Sequence, residues 1–161
     1  MIRPFLRWPD PRLRRPAAPV GEVTDAHLAI WDEMLEAMYA MPGVGLAAPQ
    51  IGVMLRLAVV DDGEGAVRLA DPEIVAASVQ LRAHEEASPN LPGVSAAVKR
   101  PRAVTVRFTD ETGIRREEEF VLLRATSVQH QIDHLEGRMF FDRLSRTKRD
   151  MLLRRAAKAS A

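Results

Sequence analysis

Apolar residues at Leu28, Trp31, Met34, Leu35 and Met38 recur three and four positions apart, the spacing that lines one face of an α-helix. Thr24 or Asp25 can cap this helix, and Pro42-Gly43 ends it. Its apolar face is predicted to contact the core. From about Gly52 to Thr109 the pattern shortens. Leu55-Arg56-Leu57-Ala58-Val59-Val60 and Val67-Arg68-Leu69 flank Asp61-Asp62-Gly63-Glu64-Gly65, a hairpin-like turn. Ile74-Val75-Ala76 and Val79-Gln80-Leu81 read as short strands. Val104 to Phe108 alternates, turns at Asp110-Glu111-Thr112-Gly113 and returns from Glu117 to Leu122. A second helix is predicted from Leu123 to Glu136, ended by Gly137, and a third from Arg146 to Lys158. The first 21 residues, rich in Pro and Arg, read as an extended arm over a surface. The order helix, strands, helix, helix predicts an α+β fold, one domain over residues 1–161.

Composition adds bounds. At 47% hydrophobic the chain can bury one sizeable core, and a formal net charge of +1 gives no bias toward DNA or acidic lipid. There are no cysteines, which removes disulfides, thiolate nucleophiles and sulfur-ligated metal sites. No apolar run has the length of a signal-peptide core or a membrane span, so a cytoplasmic protein without membrane contact is expected.

The chemistry sits on the second predicted helix, at His130-Gln131-Ile132-Asp133-His134. Histidines at i and i+4 share one helix face and can bind one metal ion. In the zinc-hydrolase motif H-E-x-x-H, the residue after the first histidine is a glutamate that takes a proton from metal-bound water. Gln131 has the glutamate's shape without its basicity. The pair alone reads equally well as two hydrogen-bonded core histidines.

Three segments place the histidines in context. Gly43-Val44-Gly45-Leu46-Ala47-Ala48-Pro49-Gln50 matches G-φ-G-φ-A-A-P-Q in full, where φ is apolar. Gln129 to Gly137 matches Q-H-E-x-D-H-L-x-G except at Gln131. Between them, Glu86-Ala87-Ser88-Pro89-Asn90-Leu91-Pro92-Gly93-Val94 stands where E-G-C-L-S and x-P-G-V are expected. Asp10-Pro11-Arg12-Leu13-Arg14 and Arg100-Pro101 also fit. In order and spacing, across nearly the whole chain, the sequence resembles the peptide deformylase family, with degenerate second and third motifs.

The resemblance implies short antiparallel sheets around a central H-x-x-x-H helix, with an N-terminal and a C-terminal helix. It implies metal-dependent hydrolysis of the N-formyl group from the initiator methionine of new proteins, using one Fe(2+) or Zn(2+) held by two His and one Cys. On this resemblance His130 and His134 match the histidine ligands, Gln50 the oxyanion-side glutamine, and Gly45 with Leu46 the substrate-side segment. Ser88 replaces the Cys ligand, and a hydroxyl forms an anion far less readily than a thiol of pKa about 8.5. Pro89 replaces the Leu whose backbone N–H stabilises the oxyanion, and proline has no N–H. Glu86 matches a supporting glutamate; it or Glu85 could be recruited as a carboxylate ligand, whereas Asp133 should point away from the histidine face. The expected outcome is a pseudoenzyme that keeps the pocket for formyl-methionyl peptides, with metal binding in doubt. The alternatives are an active metallohydrolase with an atypical metal shell and a ribosome- or protein-binding module. Arg143, Arg146, Lys148, Arg149, Arg154, Arg155 and Lys158 form a basic C-terminal cluster, either a solvated helix face or, by analogy with the family, a contact to ribosomal RNA.

Overall fold

The computed structural model describes residues 3–160. Its elements run α1 (Asp25–Ala40), β1 (Gly45–Ala47), β2 (Leu57–Val60), β3 (Val67–Ala77), β4 (Leu81–Ser88), β5 (Leu91–Pro101), β6 (Ala103–Thr109), β7 (Arg115–Val121), α2 (Leu122–Leu135) and α3 (Arg146–Ser160). Five strands form one antiparallel sheet in the order β1-β2-β3-β6-β7, while β4 and β5 form a separate hairpin. This is the α+β arrangement with a central His-bearing helix that the sequence predicts.

The three helices and the β2–β3 and β6–β7 hairpins fall where the hydrophobic spacing puts them. Thr24 caps α1, its backbone N–H donating to His27 Nδ1 at 3.0 Å. Two strand expectations change. Ile74–Ala76 is the end of the long β3, which bulges after Ala70. There Asp71 takes a positive φ and its carboxylate accepts the N–H groups of Val20 and Gly21. Val79 and Gln80 are no strand; Val79 is 98% exposed in the turn before β4. The β4–β5 hairpin, with Pro89-Asn90 at its tip between Ser88 and Leu91, is the element the sequence pattern hides.

Helix α2 has two working faces. Ala125, Val128, Ile132 and Leu135 pack on Val104, Val106, Phe108 and Phe120 of the large sheet, the 3–4 spacing of a buried helical stripe. The face carrying His130 and Gln131 turns toward the β4–β5 hairpin. Gly137 then reverses the chain with φ 78°; a Cβ there would lie 2.5 Å from the Arg14 carbonyl oxygen. The N-terminal arm crosses this end of the molecule. It is pinned where Ala17 N–H donates to Leu135 O at 2.8 Å, Trp8 N–H to Asn90 O at 2.8 Å and Leu6 N–H to Gln50 O at 2.9 Å. Helix α3 buries Leu152 and Ala156 beside β5 and leaves Arg146, Lys148, Arg154, Arg155 and Lys158 exposed.

A buried charge cluster fastens α2 to the hairpin. Arg100 on β5 donates to both Glu86 oxygens, at 2.7 and 2.9 Å, and to Asp133 on α2 at 2.9 Å. The Arg100, Glu86 and Asp133 side chains are only 3–4% exposed. Arg143 closes the cluster from the solvent side with two bonds to Asp133, at 2.6 and 3.1 Å. Burial alone would raise the Glu86 carboxyl. Hydrogen bonds from His130 and Arg100, and the charge of Arg100, outweigh it and hold the carboxyl below its ordinary value. This stabilisation is therefore complete above the ordinary carboxylate range and is lost as pH falls through the lowered native value.

Arg100→Met should cost about 3–5 kcal/mol at neutral pH in urea unfolding, because two carboxylates stay buried with one partner gone. In that variant burial lifts the carboxyl pKa values above their unfolded ones, so the deficit should narrow as pH falls toward 4. A deficit independent of pH would show that packing, not charge, is what Arg100 supplies. Gly137→Ala should destabilise by more than about 1 kcal/mol, the sum of a positive φ and a backbone clash, read by the same unfolding measurement.

Candidate functional site

A cleft of about 380 Å³ opens between α2, the β4–β5 hairpin and the segment leading into β1. That segment approaches α2 closely because Ser127 Oγ donates to the Val44 carbonyl at 2.9 Å. Glycine is required at position 45: a Cβ there would sit 2.3 Å from Ser127 Oγ and 2.5 Å from Gln131 Nε2. Gly45, Gln50, Ser88, Pro89, His130 and Gln131 all line the cleft. The fold thus brings together residues that lie up to 86 positions apart in sequence, from Gly45 to Gln131. Leu46 does not reach the cleft with its side chain, which is fully buried beside Trp31 and Met38 in the α1 core. His134 lies one turn behind His130 and is also buried.

The histidines are held in a defined way. Glu86 Oε1 lies 2.8 Å from His130 Nδ1. With that carboxylate held ionised by Arg100, it accepts, and Nδ1 carries the proton. In the neutral ring this leaves the Nε2 lone pair facing His134 Nε2 at 3.1 Å. At that separation one N–H can donate to the other nitrogen, or two lone pairs can face one cation. Burial first, then repulsion from His130 and Arg100, holds the His134 ring well below the ordinary histidine value, so it is neutral near pH 7. Phe140 stacks on His130 with ring planes 15° apart.

The third candidate ligand is engaged elsewhere. Ser88 Oγ donates to Asn90 Oδ1 at 3.1 Å and accepts from the Asn90 N–H at 3.3 Å. Glu86 is turned to Arg100 and His130, and Asp133 to the two arginines, away from the shared histidine face. Among the described residues, no group of three His, Cys, Asp or Glu is disposed to hold a metal ion. Two neutral imidazoles and one committed hydroxyl do not fit the two-His, one-Cys donor set.

Asn90 is the site residue the sequence pattern did not single out. It uses its whole side chain: Oδ1 accepts from Gln50 Nε2 at 2.8 Å and from Ser88, while Nδ2 donates to Leu6 O at 2.7 Å and Gln50 O at 3.1 Å. Gln50 is therefore committed as well. Its Oε1 accepts from Ala47 N–H at 2.9 Å, and its second N–H points to Ser88 Oγ across a long 3.5 Å. The available signal was Asn at the second position of a two-residue hairpin turn, in place of the motif serine. Gln131 is the contrary case: it is buried, lines the cleft and has an Oε1 with no hydrogen-bond partner.

Comparison with known proteins agrees with the motifs. Residues 2–150 match the polypeptide deformylase family model. A peptide deformylase of Rhizobium meliloti is 44% identical over 165 residues, covering 99% of this chain and 94% of that protein. One from Afipia carboxidovorans is 42% identical over 164 residues, covering 99% and 96%. Among solved structures, a Legionella pneumophila peptide deformylase superposes with a TM-score of 0.92 at 39% identity, covering 99% of this chain and 96% of that one. A peptide deformylase of Ehrlichia chaffeensis, in complex with actinonin, gives a TM-score of 0.93 at 30% identity, covering 98% and 97%. Full-length agreement in family model, sequence and fold shows that this chain belongs to the polypeptide deformylase family.

Proposed function

We propose that this protein keeps the family's peptide pocket and has lost, or nearly lost, the family's hydrolysis of N-formyl groups. The observation that carries this reading is the neutral shell around His130 and His134. A hydroxyl stands at the third ligand position and a carboxamide at the proton-transfer position. A buried divalent ion there would meet no anionic ligand to offset its desolvation. The family's Fe(2+) or Zn(2+) is accordingly proposed to bind weakly. Gln131 cannot take a proton from water near neutral pH, which removes a contribution of roughly 10²–10⁴-fold in rate. Pro89 offers no N–H to a developing oxyanion, a loss of about 2.7–4 kcal/mol of transition-state stabilisation. These penalties overlap, since residues of one site act as a unit.

What supports a retained pocket is that its frame is intact. Gly45 still gives α2 its close approach, and the cleft remains open between apolar walls that include Val44, Leu91 and Leu123. Peptide amino termini beginning with methionine, formylated or not, are the ligand class that the family implies. The exposed basic face of α3 would suit a polyanion such as ribosomal RNA, and is the feature favouring a place near translation.

Formate release from a formyl-methionyl peptide should be indistinguishable from that of a His130→Ala control, and protein purified without added metal should carry less than one ion per chain. Stoichiometric metal together with turnover above that control would sink the proposal. Ser88→Cys, Pro89→Leu and Gln131→Glu combined should restore measurable turnover, whereas each alone should do little. Full recovery by Gln131→Glu alone would show that Ser88 and Pro89 are not limiting.

A further inference from the structure

We propose that the cleft takes the free α-ammonium of a peptide's first residue in preference to its N-formylated form. The inference rests on the peptide-pocket reading above and narrows its ligand. It comes from counting which hydrogen-bonding groups beside the histidine pair are already used.

The donors are spent. One Gln50 N–H goes to Asn90 Oδ1 at 2.8 Å, and the other points to Ser88 Oγ at 3.5 Å. The Ser88 hydroxyl donates to Asn90 Oδ1, and the Ser127 hydroxyl to the Val44 carbonyl. His130 Nδ1–H is held by Glu86. Pro89, at the tip of the hairpin, has no N–H. A formyl oxygen entering this floor would lose its water without gaining a donor, and a desolvated carbonyl left unpaired is costly.

An acceptor is left over. Gln131 is 4% exposed and lines the cleft, and its Oε1 is buried without a partner. A carboxamide oxygen in this position calls for an N–H or N⁺–H from whatever occupies the cleft. The field favours a single positive charge. The arginines Arg100 and Arg143 are spent on Glu86 and Asp133, while Glu85 lines the cleft exposed and forms no ion pair among the described residues. A monovalent ammonium at an open cleft also keeps part of its hydration, which a buried divalent ion would forfeit. Formylation removes this charge, takes away two N–H donors and adds the acceptor that the floor cannot satisfy.

The test is calorimetric titration of the full chain with a methionyl tripeptide, its N-formyl form and its N-acetyl form at pH 6.5. There the α-amino group, of pKa about 7.7–8.0, is protonated. The free-amine peptide should bind at least tenfold more tightly than either acylated form. Gln131→Met, close to isosteric and therefore tolerated in a packed site, should abolish that preference. Gln131→Glu, which charges the acceptor, should enlarge it. Circular dichroism melts of both variants confirm that they fold. Equal or tighter binding of the formyl peptide, as an amide turned with its N–H toward the ligand would give, overturns this inference and leaves the pocket reading standing. Saturable binding of none of the three overturns both.

Discussion

The Arg100 guanidinium is the contact on which the site's geometry hangs. It lies on β5, yet it is the only described group that bonds at once to the neighbouring strand through Glu86 and to α2 through Asp133. Two planar bonds to Glu86 set that carboxylate's orientation. The carboxylate in turn sets which nitrogen of His130 carries the proton, and so where its lone pair points. Helix α2, the hairpin and the histidine pair are thereby fixed to one another through a single side chain. Burying such a cluster is not in itself stabilising, since desolvation offsets much of the attraction. Its worth is that a misregistered hairpin would leave charges unpaired in the interior, which makes other packings expensive.

The same cluster limits what the cleft can hold. Glu86 and Asp133 are matched by Arg100 and Arg143, so no negative charge is left over behind the histidines. His134 is kept neutral by burial and by its cationic neighbours. Any positive charge arriving at the His130 Nε2 face must be balanced by its own ligands or by water. A thiolate at position 88 or a carboxylate at position 131 would have supplied that balance; Ser88 and Gln131 do not. The two replacements therefore act in one direction, and they act through electrostatics more than through shape.

Much of this was legible in the sequence. Helical spacing located all three helices, the turn residues located the β2–β3 and β6–β7 hairpins, and Gly137 marked the end of α2 through its positive φ. The clustering of Gly45, Gln50, Ser88 and His130 followed from motif order, and the structure brings them to one cleft. The β4–β5 hairpin stayed hidden because Pro89, Pro92 and Gly93 interrupt it and its outward residues are small or charged, so no alternation survives. Its strands are specified by pairing and by Arg100, not by local propensity. Leu46 misled for a simpler reason: motif membership does not say which way a side chain points, and in a three-residue strand buried throughout it points into the α1 core.

Asn90 gives the clearest sign of how the altered residues relate to one another. Replacing a ligand by a smaller neutral group leaves hydrogen-bonding capacity exposed in a buried place, and each unpaired group there costs about 1–3 kcal/mol. Here the capacity is absorbed. Asn90 accepts from Gln50 and Ser88, donates to the N-terminal arm at Leu6, and holds the hairpin tip against the end of the first motif. Pro89 beside it stiffens the turn that presents Asn90, the same substitution that removes the oxyanion N–H. Ser88, Pro89 and Asn90 thus form one self-satisfied unit, and a single reversion at Ser88 would place a thiol against a carboxamide network built for a hydroxyl. The coupling among these positions is what makes recovery of hydrolysis a property of the set and leaves Gln131, outside that unit, as the one buried amide whose oxygen still looks to the cleft for a partner.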